Sequence, residues 1–331
     1  MIESTERQVI RRRSLLAGAV GGVVAGAAGA SLLDRSATAA PAGERPPAAA
    51  SAGGEAAEFR WFGTAGWRIG SGDRTVLFDP YLTRFPTGLF TGAFDPATRL
   101  RVDEPLIDRH LSGVRPKLVM VSHSHWDHLN DVPYIARSTG APVIGTETTY
   151  HLLRAFGVDA GQLIVVKGGE VLDFDGCVVE VFSGRHSRNA RHSYFAPGTL
   201  VAPPRRPRTI SDLPEGDTLS FQVTPDGGPS VFLMGGSDFA EREVAGVRPD
   251  IAMVATPATA ATHRYASRLM TALGRPRTVV PVHWDDFETP LDDPVRADPT
   301  VDLDRFVAQL REAAPESRIV VPDRSTTYRW S

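Results

Sequence analysis

The sequence of 331 residues predicts an α/β fold, two sheets packed face to face with helices outside. Three observations carry that expectation. Short apolar runs bounded by turn residues recur along the chain, helical patterns separate many of them, and the arrangement occurs twice, each β-rich half being followed by helices. No fixed-period repeat is present, so solenoids and propellers are excluded. Apolar and charged fractions of 42% and 23% are ordinary for globular protein and leave material for one large domain or two modest ones.

The first half opens with a strand over Phe59–Ile69, a turn at Gly70-Ser71-Gly72-Asp73 and a strand over Thr75–Phe78 that ends in Asp79-Pro80. A loop-like stretch from Tyr81 to about Arg101 follows. Leu118–Val121 then reads as a buried strand, followed by a helix near Val132–Ser138, a strand at Pro142–Ile144, a helix at Thr146–Phe156 and a strand at Gln162–Val166. Two more strands, Val171–Phe174 and Val178–Phe182, lead to Gly184-Arg185-His186. The second half contributes strands at Thr218–Val223, Val231–Met234, Ile251–Val254 and Thr278–Val282, with helices from about Thr259 to Leu273 and near Leu303–Ala313.

The N-terminus has a different character. Arg11-Arg12-Arg13-Ser14-Leu15-Leu16 precedes a weakly apolar run of Ala, Gly and Val, and Ala37-Thr38-Ala39 is a small-x-small cleavage signal. Residues 1–39 therefore resemble an export signal of the twin-arginine type. Its glycine and alanine content makes a poor membrane span. Residues 40–57, rich in Pro, Ala and Gly, read as a flexible linker, and residues 58–331 as the folded domain. The expected location is extracellular or in the cell envelope, with the twin-arginine export machinery as a partner.

Formal net charge is −3, and residues 1–39 hold five Arg against three acidic residues, so their removal (−3 − 2) leaves −5. That balance does not suggest a nucleic-acid partner. The single cysteine, Cys177, excludes an internal disulfide and a thiolate-rich zinc site, so any metal falls to imidazole and carboxylate ligands. Cys177 lies in an apolar strand pattern and reads as core.

The most informative run is His123-Ser124-His125-Trp126-Asp127-His128, three imidazoles and a carboxylate in six positions at the carboxyl end of an apolar strand. Open α/β sheets usually place their sites there. His123 and His125, two apart, share a face in extended geometry, while Asp127 and His128 turn toward a second point close by. Three other metal-type residues stand in the same context: His186, Asp238 and His283, each after an apolar strand. Together they would give one ion His123, His125 and His186, and a second ion Asp127, His128 and His283, with Asp238 bridging and an open position left on each.

His123-Ser124-His125-Trp126-Asp127-His128 matches the HxHxDH signature of the metallo-β-lactamase superfamily, which the chain resembles over nearly all of residues 58–331. That resemblance implies a four-layer αββα sandwich with a binuclear site between the sheets, in which His186, Asp238 and His283 correspond to the third histidine, the bridging aspartate and the final histidine. Leu77-Phe78-Asp79-Pro80 and Val280-Pro281-Val282-His283 look similar to the branch of ascorbate-6-phosphate lactonases and acylethanolamine-releasing phospholipase D enzymes. One departure stands out. The family's bridging aspartate usually follows a glycine directly, whereas Gly235-Gly236-Ser237-Asp238 interposes a serine, and a displaced Asp238 would leave a mononuclear or weakly occupied second position.

The expected reaction is hydrolysis. A divalent ion can lower the pKa of bound water from 15.7 to about 7, and two ions about 3.5 to 4 Å apart can also clamp the substrate and leaving oxygens. Zinc suits the imidazole-rich shell, with manganese or iron as alternatives. Asp127 could also orient the nucleophile, and His192 and His263 are candidate general acids. His110 and His151 read as ordinary surface or helix residues.

Trp126 and Trp284 flank the ligands and suit packing or substrate contact. Two loops, Tyr81–Arg101 with Phe85, Phe90 and Phe94, and Arg185–Glu215 with several arginines beside Tyr194 and Phe195, suit an amphiphile or phosphate ester. The expected substrate is a phosphodiester or phospholipid-like compound. Alternatives are a lactone or other cyclic ester, a β-lactam, or a non-catalytic binding role.

Overall fold

A computed structural model describes residues 57–70 and 74–330. The expected export signal, residues 40–56 of the linker and residues 71–73 of the first turn lie outside the described residues.

The first sheet contains β1 (Ala57–Gly63), β2 (Gly66–Ile69), β3 (Val76–Phe78), β4 (Leu118–Met120), β5 (Val143–Gly145), β6 (Leu163–Val165) and β15 (Thr327–Trp330). Its order is β15-β1-β2-β3-β4-β5-β6, antiparallel from β15 to β3 and parallel from β3 to β6. The second comprises β7 (Val171–Phe174), β8 (Cys177–Arg185), β9 (Leu219–Pro225), β10 (Val231–Met234), β11 (Asp238–Phe239), β12 (Ile251–Ala255), β13 (Thr278–Val282) and β14 (Arg318–Ile319). These run β11-β8-β9-β10-β12-β13-β14, with β7 paired on β8.

Side-chain alternation builds the layers. Phe78, Leu118, Met120, Leu233, Met253 and Val280 point into a core shared by both sheets. Their neighbours Leu77, Val119 and Val121 point the other way, onto α1 (Glu104–His110), α3 (Val132–Thr139) and α4 (Glu147–Ala155). On the opposite flank Phe232, Ala252, Val254 and Val279 meet α5 (Glu241–Val244), α6 (Tyr265–Ala272) and α7 (Leu303–Ala313). The fold is therefore the αββα sandwich of the metallo-β-lactamase type. Trp284 stacks on Trp61 at 5.3 Å within the shared core, which makes it a packing residue. Cys177 is buried there, as its strand pattern predicts.

Three differences from the sequence reading have a local cause. The strand expected over Phe59–Ile69 folds back on itself, because Gly63 (φ 86°) and Thr64 (φ 50°) adopt left-handed backbone and turn β1 into β2. The helix expected from Thr259 begins only at Tyr265, since its N-cap Arg264 is itself left-handed at φ 46°. The histidine run is not wholly a loop: Trp126–Leu129 forms the short helix α2, with His125 as its N-cap.

Candidate metal centre

Three strand ends and one short helix deliver the donor atoms. His123 and His125 follow β4, His186 follows β8 and His283 follows β13, while α2 carries Asp127 and His128. His123, His125 and His186 each offer a ligand atom within 4.8 Å of the others, and Asp127, His128 and His283 form a second such group. The two groups are neighbours, with the His123 and His128 rings 3.9 Å apart between centroids.

Each group is organised by the partners behind it. His123 Nδ1 contacts Ser122 Oγ at 3.0 Å and His186 Nδ1 donates to the Ser187 carbonyl at 2.7 Å, which leaves both Nε2 atoms free to accept a metal. The buried Nε2 atoms of His123 and His125 have no hydrogen-bond partner among the described residues. An unsatisfied buried polar atom costs about 1 to 3 kcal/mol, so two at one point are what a missing cation would leave. Burial holds the His123 imidazole well below its usual range, His125 at about 4 and His186 at about 3, so these rings are neutral with lone pairs available.

The second group carries the charge. Asp127 Oδ2 lies 3.2 Å from His283 Nε2 and 3.3 Å from His128 Nε2. Burial opposes ionisation of Asp127, but the charge of His128 and hydrogen bonds from His128 and His283 outweigh it and keep the carboxylate ionised. Burial likewise opposes the His128 cation. Asp127 and Asp79 override it and hold the imidazole at about 10, with Nδ1 on Asp79 and Nε2 toward Asp127, where a metal ion would replace the Nε2 proton. The donor chemistry of both groups therefore fits divalent metal.

Asp79 is the site residue that sequence reasoning passed over. It sits at the end of β3, fully buried at φ 40°. Its Oδ2 is 2.7 Å from His128 Nδ1 and 2.5 Å from Ser122 Oγ, and its Oδ1 accepts from Ser122 N at 2.7 Å. It thereby orients one ligand histidine directly and a second through Ser122. Gly235 is glycine for the same reason: a Cβ there would stand 2.0 Å from Ser122 Oγ and 2.7 Å from Asp79 Oδ2. The available signal was an apolar strand ending in a carboxylate, the context already seen at the other strand ends.

Asp238, expected to bridge the metals, belongs to neither group. Its carboxylate accepts from Phe239 N at 2.8 Å, and its charge acts on the buried Tyr265 hydroxyl under the outer helices. The inserted serine explains the displacement. Ser237 takes the inner position, its N and Oγ both on Ser187 Oγ at 2.7 and 2.9 Å, and the next residue of the strand points to the opposite face. Asp127 Oδ2 is the carboxylate oxygen that stands between ligands. His192 and His263 are exposed and also outside both groups, and neither ring has a polar partner among the described residues. His110 pairs with Asp292 at 2.7 Å, and His151 lies on α4.

Aromatic side chains from the two long loops, from α2 and from the segment after β13 close over the ligands. Phe195 stands 5.7 Å from the His125 ring, Tyr194 4.7 Å from His186 and Phe287 5.4 Å from His283. Phe94 packs on Phe195 at 5.2 Å, and Trp126 packs on Phe195 and Phe287 at 5.5 and 6.2 Å. On the His186 side a cavity of about 520 Å³ is lined by Lys167, Arg185 and Arg188 as well as Glu215 and Asp217. The Arg188 guanidinium lies over the Tyr194 ring, 5.6 Å from its centroid.

Two face-to-face sheets with imidazole and carboxylate donors at their strand ends define a metallohydrolase architecture. The family model for the beta-lactamase superfamily domain matches residues 58–283, and the chain belongs to that family. It is similar to a UPF0173 metal-dependent hydrolase of Pyrobaculum islandicum, 25% identical over 241 residues that cover 72% of this chain and 88% of that protein. A UPF0173 metal-dependent hydrolase of Salinibacter ruber is 27% identical over 265 residues, 79% of this chain and 96% of the relative. In fold it is similar to Igni18, a metallo hydrolase from Ignicoccus hospitalis, with a TM-score of 0.53 and 22% identity over 83% of this chain and 98% of that one. The chain is a metal-dependent hydrolase of the metallo-β-lactamase fold.

Proposed function

We propose that this hydrolase holds two divalent ions and cleaves a phosphodiester or phospholipid-like substrate. The observation that carries the two-ion reading is the pair of adjacent donor groups, each with three ligand atoms within 4.8 Å. When bound, such ions supply a more acidic water and polarise the electrophile, and zinc suits this donor set. His123, His125 and His186 would hold one ion, and Asp127, His128 and His283 the other. Asp79 keeps the His128 Nδ1 proton engaged, so that Nε2 faces the site. Asp127 is placed to accept a hydrogen bond from the attacking water. Phe195 and Phe287 exclude bulk water from the ligand rings they touch, and Arg188 beside Tyr194 offers a fork for a phosphoryl oxygen next to His186.

Hydrolysis assays with an aryl phosphodiester, a lactone and a β-lactam test the substrate class. Metal-dependent diester cleavage, lost in Asp127→Ala, is the expected result. Cleavage of the lactone alone would transfer the assignment to cyclic esters, and turnover of none of the three would contradict the substrate reading altogether. Export by the twin-arginine route rests on Arg11-Arg12-Arg13 and Ala37-Thr38-Ala39. A secreted product whose N-terminus reads Ala40 is expected, and an intact cytoplasmic chain would refute it.

A further inference from the structure

A second cavity, of about 530 Å³, lies on the helical flank of the first sheet and includes none of the metal-centre residues. It is lined by Arg99, Arg137, Arg206 and Arg208, with Glu104 as the sole carboxylate on its walls. None of the four guanidinium groups forms an ion pair among the described residues. Four cations against one anion in one cavity stand out in a chain whose formal net charge is −3.

The backbone holds these cations together. Arg137 on α3 donates through Nη1 to the Phe156 carbonyl at 3.0 Å, and the Arg206 guanidinium lies 5.9 Å from the Phe156 ring centroid, so both converge on one residue at the end of α4. Arg99 faces Thr209 across an isolated antiparallel bridge and Leu100 N donates to the Arg208 carbonyl at 2.9 Å, which ties together the two segments that bring Arg99 and Arg208 to the cavity wall. Arg208 is partly offset by Asp212, whose carboxylate accepts from Arg208 N at 2.8 Å and feels its charge; the other like charges gathered in this way repel, and a bound anion would reverse the balance.

We infer that this cavity is a binding site for a phosphorylated small molecule, separate from the metal centre. Guanidinium forks match phosphate oxygens in bidentate geometry, which makes phosphate the favoured anion over a monocarboxylate. The volume falls within the range of about 300 to 1,000 Å³ typical of small-molecule sites and exceeds what a lone phosphate fills. An organic moiety would meet Tyr134, whose hydroxyl is already committed to Asp108 Oδ1 at 2.8 Å and whose ring is left for contact, together with Phe156.

The test is calorimetric titration of the metal-loaded protein with phenylphosphonate, which carries a phosphoryl group and a ring but no hydrolysable ester. Saturable binding is expected, weakened by at least about tenfold in Arg137→Gln/Arg206→Gln and again in Arg99→Gln/Arg208→Gln, the scale of a lost charge-assisted hydrogen bond. All four side chains are exposed, so both variants should fold, with unchanged thermal unfolding as the check. His128→Ala should leave this affinity unchanged. Binding that disappears in His128→Ala but survives both arginine variants would place the anion at the metal centre and overturn the inference. Failure of phenylphosphonate to bind, or equal affinity for phenylacetate, would overturn it as well.

Discussion

Two aspartates at strand ends illustrate how much a single position decides. Asp238 and Asp79 each follow an apolar strand, yet only Asp79 reaches a ligand histidine, at 2.7 Å, because Ser237 shifts Asp238 onto the outer face. Strand-end context made His123, His125, Asp127, His128, His186 and His283 legible as a set. It could not say which way a carboxylate turns, since a one-residue offset reverses the face. Asp79→Asn should weaken metal affinity by about 10- to 100-fold, the usual cost of losing an orienting partner, as measured by competition with a chromogenic chelator. Affinity within twofold of the parent would show that His128 needs no such support.

Among the elements, the turn between β1 and β2 matters most to the site. Asp285 Oδ1 accepts from Thr64 N at 2.7 Å, and the Thr64 carbonyl accepts from His283 N at 2.8 Å, which fixes a ligand histidine whose own backbone is left-handed at φ 57°. Behind it Arg84 Nη1 bonds Asp285 Oδ2 at 3.0 Å, with both side chains fully buried. Sequence patterning missed this turn because its cause lies more than two hundred residues away in Asp285, beyond the reach of local periodicity. Asp285→Ala strands a buried guanidinium and should cost about 3 to 5 kcal/mol in urea unfolding; a loss below about 1 kcal/mol would mean that water reaches Arg84.

The N-cap of α3 makes a pH prediction. Burial holds the Asp131 carboxyl up at about 6 against an ordinary 3.8, even though it accepts from Leu82 N and Thr83 N at 2.7 and 2.6 Å. With the folded pKa raised, the stability contributed by the neutral acid is complete below about 3.8 and is lost as pH rises through about 6, to a total of about 3 kcal/mol at most. Asp131→Asn cannot titrate. Its stability relative to the parent should therefore climb from pH 4 to 6 and level off above; a flat or falling difference would contradict the assignment.

At the scale of the whole molecule, the sandwich was legible because alternation along β3, β4, β10, β12 and β13 gives every strand two buried faces, one toward the opposite sheet and one toward helices. The short pieces α2, α5, β11 and β14 were not, since they are too short for a period and lack the continuous apolar run that marks the equally short β3 and β4. The same layering brings the ends of β3, β4, β8 and β13 to one place, so the metal centre is a property of the fold and not of any one segment. Elemental analysis of the purified protein, alongside Asp238→Ala and His283→Ala, tests that directly. About two equivalents of metal per chain are expected, as two-metal chemistry requires, unchanged in Asp238→Ala and falling to about one in His283→Ala. A parent protein with a single equivalent, or loss of metal in Asp238→Ala, would contradict two adjacent donor groups that do without Asp238.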